Sequence, residues 1–340
     1  MSQKITELAP RILEEIKKAE HILLTCHKGP DGDSLGSTLA LHFYLQSLGK
    51  KVTHISGDNP TPKYLSSLPG FNLIENKNFF EVDLSKIDLF IACDIGGLNQ
   101  ISRIKEISFP ENLKVIVIDH HKSNPGFGTI CLVDETAAAA CQIMFYLFKA
   151  WGAPITPEMA ANLFVGMHTD SGGFKYPLTS KDTLLAAAEL VKIQPEFHRY
   201  IFDLENSLDP SFVAFQTLAL NNLEVCLGGK VVISIVAYHE LLDKKILGKD
   251  WSPSWIANEL KGVVDYEIAV CLAESERGVF GASFRTRDAI RYDLTKVSTL
   301  LGGGGHAAAA GAPIEASNAN EAKLKLLEAL TKSYPELTQP

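Results

Sequence analysis

Between positions 27 and 33 the chain reads His27-Lys28-Gly29-Pro30-Asp31-Gly32-Asp33, which places one imidazole and two carboxylates close together. The apolar run Ile22-Leu23-Leu24-Thr25-Cys26 precedes this segment and a helical pattern follows from Ser34. A strand that ends this way and opens a helix delivers three hard metal ligands to one spot. Asp94, the run Asp119-His120-His121, and Asp170 repeat the same chemistry later, and Asp94 and Asp119 also end apolar strands. Any one of these alone reads more simply as a surface or capping residue, with Asp33 or Ser34 capping the next helix. Taken together they read as a site. The donors His27, Asp31, Asp33, Asp94, His120 and Asp170 offer oxygen and imidazole nitrogen but no thiolate, which suits Mn²⁺, Mg²⁺ or Fe²⁺/Co²⁺-like ions better than structural zinc. Six donors are too many for one ion that keeps an open position. They suit two ions sharing a carboxylate, about 3.5–4 Å apart, which acidify a water and clamp the oxygens of an in-line phosphoryl displacement. The chemistry implied is metal-assisted phosphoester hydrolysis.

The elements that must position these residues alternate. Residues 3–20 form an amphipathic pattern, with Ile5, Leu8, Ile12 and Ile16 about four apart. Strands are predicted at 21–26, 51–56, 87–93 and 114–118, and helices at 34–48, 135–151, 156–167 and 180–193. Fully apolar strands between helices predict a parallel α/β sheet, whose ligands bind beyond the carboxyl ends of its strands. The N-terminal domain spans 1–195, and a helical linker rich in aromatics covers 196–222. A smaller α/β domain at 223–340 follows, with strands near 224–228, 230–237, 265–273 and 278–286 and helices near 252–261, 294–300 and 317–332. The linker aromatics Tyr200, Phe202, Phe212 and Phe215 are expected to pack between the domains.

A length of 340 residues suits two domains, and the longest apolar runs are too short to span a bilayer. The first twenty residues lack an apolar signal core, so a cytoplasmic, membrane-free protein is expected. The six cysteines are scattered and read as reduced thiols. A net charge of −8 argues against a coat for long nucleic acid but not against a nucleotide substrate, because bound cations reverse the local charge.

The motifs His27-x-x-x-Asp31-x-Asp33, Asp94, Asp119-His120-His121 and Asp170, in this order, resemble the four motifs of the DHH phosphoesterase superfamily. The run Gly302-Gly303-Gly304-Gly305-His306, followed by Ala309-Ala310-Gly311, resembles the signature of the DHH-associated substrate domain, so the likeness spans nearly the whole chain. This resemblance implies that His27 and Asp31 hold one ion, that Asp33, His120 and Asp170 hold the other, and that Asp94 bridges them. It also implies that His121 contacts the scissile phosphate while Asp119 fixes an imidazole. Mn²⁺ is the expected metal, with Mg²⁺ or Co²⁺ as alternatives. Ser171 and Lys175 stand where the family often has Thr and Arg, and residues 137–141 lack its Ser/Thr; no metal ligand is missing.

In the family, an arginine and the Gly-Gly-Gly-His positions grip a terminal phosphate or base. The matching residues are Arg285, Gly303, Gly304, Gly305 and His306, and Arg103 is a further phosphate contact by the same resemblance. A guanidinium suits the task through its bidentate fork, and successive glycine N–H groups can line an anion nest. Arg287 and Arg291 read as surface charges, and His168 as a packing residue rather than a ligand. The short glycine-rich second domain resembles the nano-RNase and pAp-phosphatase branch. That branch implies cleavage of very short RNA to 5′-mononucleotides and 3′-dephosphorylation of pAp, with no long duplex as partner. The alternatives are hydrolysis of cyclic dinucleotides or their linear products, a manganese pyrophosphatase, a single-strand exonuclease, and a regulatory nucleotide-binding scaffold. The oligomeric state stays open, a homodimer included.

Overall fold

A computed structural model describes residues 2–249 and 251–338 of the protein, which divides into two compact units after Ser207. In the first unit, α1 (Gln3–Lys18) is capped by Ser2 and buries Ile5, Ala9, Ile12 and Ile16 along one stripe. Next come β1 (His21–Thr25), α2 (Gly32–Ser47), β2 (Lys51–Ile55), β3 (Leu89–Cys93) and the short α3 (Leu98–Ile101). β4 (Lys114–Asp119), β5 (Ile130–Val133), α4 (Ala140–Ala150), α5 (Pro157–Asp170), α6 (Lys181–Ile193) and α7 (Phe197–Asn206) complete the unit. The strands pair in the order β2-β1-β3-β4-β5, and every pairing is parallel. Both faces are covered. Ile22, Leu24, Ile91 and Ile116 pack with α1, α2, α4 and α5, while Leu23, Phe90, Val115 and Val117 form a core on the opposite face.

The chain reverses direction across the sheet between β1 and β3, which is where such sheets bind ligands. Against this edge α2 and α5 approach almost backbone to backbone. A Cβ on Gly36 would lie 2.4 Å from the Asn162 carbonyl oxygen. One on Gly166 would lie 2.2 Å from Cys141 Sγ and 3.0 Å from Asp33 Oδ1.

The second unit opens with α8 (Pro210–Asn221), β6 (Leu223–Cys226), β7 (Val231–Val236), α9 (Tyr238–Asp243) and α10 (Pro253–Leu260). It continues with β8 (Ile268–Glu276), β9 (Val279–Thr286), α11 (Thr295–Leu300), β10 (Gly304–His306), β11 (Ala309–Glu315) and α12 (Ala319–Ser333). The sheet order is β10-β11-β9-β8-β7-β6, and only β7 and β8 run parallel. Phe280, Phe284, Ala310 and Ile314 bury one face against α12 and Tyr292.

Several predicted boundaries move. The helix expected from 135 starts at Ala140, because Asp134 and Thr136 form a turn first. The helix expected to end at 167 runs to Asp170. The stretch 196–222 is two helices, broken where Asp209 caps α8 and Pro210 takes its first turn. Of its aromatics, Tyr200 joins a cluster with Leu35 and Val165, Phe215 stacks on Trp251, and Phe202 is exposed. β5, β10 and β11 and the short α3 and α9 lie outside the predicted elements; β5 is four residues long and β11 is mostly Ala and Gly. All six cysteines are free, and no helix of the described residues is long and apolar enough to cross a membrane.

Candidate metal centre at the sheet edge

His27 leaves β1 with its backbone N–H donating to Ser34 Oγ, which ties the loop to the first turn of α2. Asp31 is the N-cap of that helix. Its Oδ1 accepts from the N–H groups of Asp33 and Ser34, so neither Asp33 nor Ser34 does the capping expected of them. This use of one oxygen leaves Asp31 Oδ2 facing His27 Nε2 at 3.4 Å. Asp33, two residues on, is buried. Its two oxygens accept from the N–H groups of Ala140 (2.6 Å) and Cys141 (2.9 Å), the free donors at the start of α4. Those backbone donors belong to the 137–141 segment, which lacks the family's Ser/Thr.

Asp94 follows β3 in the left-handed region, with φ 58°, a conformation that aspartate enters at less cost than most residues. Its N–H still donates to the Ile118 carbonyl at 2.9 Å, so the turn is pinned to β4. From there the carboxylate faces two ways, with Oδ2 3.6 Å from His27 Nε2 and Oδ1 3.5 Å from His120 Nε2. His120 Nδ1 lies 3.3 Å from the Ala137 carbonyl, which can only accept, so this ring nitrogen carries the proton and Nε2 is left as a lone-pair donor. That Nε2 lies 3.3 Å from Asp170 Oδ2 and 3.9 Å from Asp33 Oδ2. Asp170, the last residue of α5, meets the others from a helix end rather than a strand.

His121 Nδ1 lies 2.8 Å from Asp119 Oδ1, and Asn124 Nδ2 donates to Asp119 Oδ2 at 2.6 Å and to the Ile95 carbonyl. Sequence reasoning missed Asn124, because a lone Asn three residues after a charged triplet carries no pattern of its own. His168 turns away from the cluster, pairing with Glu205 and lying against Phe164 and Phe174.

The charges are out of balance. Burial, then the neighbouring Asp33 and Asp31, pushes Asp94 well above the usual carboxylate range. Burial also raises Asp33, against the pull of His120. Burial and Asp33 together push Asp170 up to about 7. Asp31 and Asp119 go the other way, since the hydrogen bonds from His27 and the α2 amides, and from His121 and Asn124, outweigh burial. The Asp119 hydrogen bond raises His121 despite burial. Asp94 Oδ1 and His120 Nε2 are buried and have no hydrogen-bond partner. Buried groups of this kind are normally satisfied, and isolated carboxylates are normally compensated by cations. Three donor groups fit an ion: His27, Asp31 and Asp94; Asp33, His120 and Asp170; and Asp94, His120 and His121. Hard oxygens and imidazole nitrogens around two orphaned atoms fit divalent cations.

Arg103 is exposed beyond α3, with its N–H on Asp58 Oδ2 at 2.7 Å. In the second unit Arg285 is opposite Ala309 on β11, and Ala309 is opposite His306 on β10. Directly opposed residues share a face, so Arg285 and His306 flank one small side chain. Beside them Ser283, Gly311 and Gly304 form the next row. The glycine run is therefore half strand rather than free loop. A Cβ on Gly303 or Gly305 would strike β11, 2.1 Å from the Gly311 oxygen and 2.6 Å from Ala310 Cα, whereas Gly304 has open space. Arg285 Nη1 donates to the Phe284 carbonyl at 2.8 Å.

Known proteins share this architecture. Residues 21–167 match the DHH family, N-terminal domain, and residues 228–333 match the DHHA1 domain. A bifunctional oligoribonuclease and PAP phosphatase NrnA of Thermus thermophilus is 28% identical over 335 residues, 97% of this chain and 94% of that protein. The protein of the same name in Bacillus subtilis is 24% identical over 327 residues, 95% and 98% of the two chains. The crystal structure of an exopolyphosphatase-related protein from Bacteroides fragilis superimposes with a TM-score of 0.87 at 22% identity, over 98% of each chain. With both domains matched in order, the chain belongs to the DHH family and joins a DHH domain to a DHHA1 domain.

Proposed function

We propose that this protein is a phosphoesterase that hydrolyses short oligoribonucleotides to 5′-mononucleotides and removes the 3′-phosphate of pAp, using two divalent ions, Mn²⁺ by preference. The observation that carries this reading is the pair of buried, unpartnered atoms, Asp94 Oδ1 and His120 Nε2, within a ring of carboxylates that has no lysine or arginine ion-pair partner among the described residues. His27 and Asp31 would hold one ion and Asp33, His120 and Asp170 the other, with the two oxygens of Asp94 shared between them. When bound, such ions supply Lewis acidity at the phosphoryl oxygens and acidify a water.

The chain's own residues do the rest. The Ala137 carbonyl keeps the proton on His120 Nδ1, and the α4 amides aim Asp33 and favour its charged form against the opposing effect of burial. The Asp119 hydrogen bond holds His121 with its Nδ1 occupied, so its other nitrogen is free to donate a proton toward a phosphate oxygen. Arg103 would add a cation to the phosphate in the first unit. In the second, Arg285, His306 and the backbone of Gly303, Gly304 and Gly305 would hold a terminal phosphate or base, with Ala309 leaving room between the two side chains. The names of the Thermus and Bacillus relatives agree with this substrate class.

The test is a Mn²⁺ assay of the purified protein against pAp, di- and pentanucleotides, cyclic dinucleotides and pyrophosphate. Release of 5′-AMP from dinucleotides and from pAp is the expected result. Turnover confined to cyclic dinucleotides or pyrophosphate would sink the proposal, and no turnover of any of them would point to a binding protein.

A further inference from the structure

The segment that steadies His120 and Asp33 also walls a cavity. It lies in the first unit, among the start of α1, the turn after β5, α4 and the start of α6. Its volume of about 370 Å³ falls in the range of small-molecule sites. Ile5, Ile143 and Tyr146 supply apolar lining, and Asp134, Gln142 and Lys181 supply polar groups. Gln142 is the informative one, because it is only 5% exposed. Its Oε1 accepts from the Ala138 N–H at 3.0 Å and from Thr183 Oγ1 at 2.9 Å. A backbone N–H can only donate, so the amide orientation is fixed and Nε2 is the end left over. That nitrogen has no hydrogen-bond partner among the described residues, and its side chain borders the cavity. Donors on a side chain buried this far ordinarily meet an acceptor.

The rest of the lining narrows what that acceptor is. Lys181 adds an ammonium and, as the first residue of α6, a backbone N–H with no partner in the helix. These donors disfavour a cation. Asp134 and Asp182, also on the lining, disfavour a phosphate or carboxylate. What remains is an uncharged, compact molecule with carbonyl oxygens on an apolar body, the chemistry of a pyrimidine base. The cavity also shares its wall with the metal centre. Asp134 N–H donates to the Asp119 carbonyl, the Ala137 carbonyl meets His120 Nδ1, and the Ala140 and Cys141 N–H groups hold Asp33. Gln142 ties Ala138 into the same run. A ligand held between Gln142 and α6 orders this run, so a metal binding afterwards has less ordering to do. We propose that the cavity is a second ligand site, for a pyrimidine nucleoside, whose occupation tightens metal binding. The proposal rests on the metal centre and not on which phosphoester is cleaved.

Uridine is the probe, titrated calorimetrically into the full chain stripped of metal. Saturable binding is expected in the wild type. It should persist in Asp94→Asn and in Arg285→Ala, which disarm the two places where substrate is expected to sit. Gln142→Glu keeps the oxygen that accepts from Ala138 and Thr183 and removes the unused donor, so it should weaken uridine about tenfold. Burying a carboxylate puts the fold at risk, so Lys181→Ala, at the exposed mouth, is the second variant and should weaken uridine about threefold. Saturating uridine should lower the Mn²⁺ dissociation constant of the wild type about fivefold, the low end of ordinary coupling between sites, and leave that of Gln142→Glu where it was. The inference is overturned if uridine does not bind, if both lining variants bind it as the wild type does, or if Mn²⁺ affinity ignores it. Loss of binding in Asp94→Asn or Arg285→Ala overturns it equally, by placing uridine at a substrate site.

Discussion

The two units prepare for a ligand in opposite ways. At the edge of the parallel sheet, side chains crowd together: four carboxylates and three imidazoles converge, and backbone groups at strand and helix ends hold several of them in place. On β9, β11 and β10 the floor is nearly bare, made of Ala309, Gly311 and Gly304 between Arg285 and His306. The first region stores unfavourable charge that a cation would relieve. The second stores space that a ligand's own groups would fill. A substitution should therefore hurt the first by removing an atom and the second by adding one.

The sharpest way to break the first region is at Asp94. Asp94→Ala should lower Mn²⁺-dependent cleavage of pApA to background and reduce the bound metal. Asp94→Asn, which accepts the same backbone conformation, should fold normally and still lose activity, with thermal melting checking the fold. Next in size, Asn124→Ala should cost about 10–100-fold in kcat, because Asp119 would then be held by His121 alone; metal content should change little. The second region is tested by additions. Gly303→Ala and Gly305→Ala should destabilise by about 1–3 kcal/mol in urea unfolding, since β11 occupies the space. Gly304→Ala has room and should leave stability alone while weakening substrate binding; equal effects at all three positions would erase the distinction. The smallest effect is a pH slope. Asp170 is raised to about 7, so in metal-stripped protein its folded form holds a proton that its unfolded form has lost. Stability from this group is complete below pH 4 and falls as pH rises toward 7, and adding Mn²⁺ should flatten that fall in melting curves.

Much of the first region was legible because parallel strands are apolar throughout and stop abruptly at charged residues, as Cys93 does at Asp94. The motif order carried the rest of the ligand set. What the sequence could not express is the work of backbone groups. The Ala137 carbonyl and the Ala140 and Cys141 amides leave no trace in side-chain type, and Asp31 caps a helix while facing His27. In the second region β11 was invisible because alanine and glycine lack the branched side chains that signal a strand. The sequence reads the glycines as an anion nest for a phosphate. What approaches Gly303 and Gly305 is a neighbouring strand.

The contact between α2 and α5 sets a mechanical tolerance. Side chains in an ordinary core can repack when a neighbour changes, and the elements they separate drift by a fraction of an ångström. Where Gly36 of α2 meets the Asn162 carbonyl of α5 there is no such cushion. Asp33 and Asp170 ride on these two helices, so their separation is gauged by main chain against main chain. The spacing offered to a pair of ions is thereby insulated from most substitutions elsewhere in the unit, and exposed to any that adds a single carbon at the crossing.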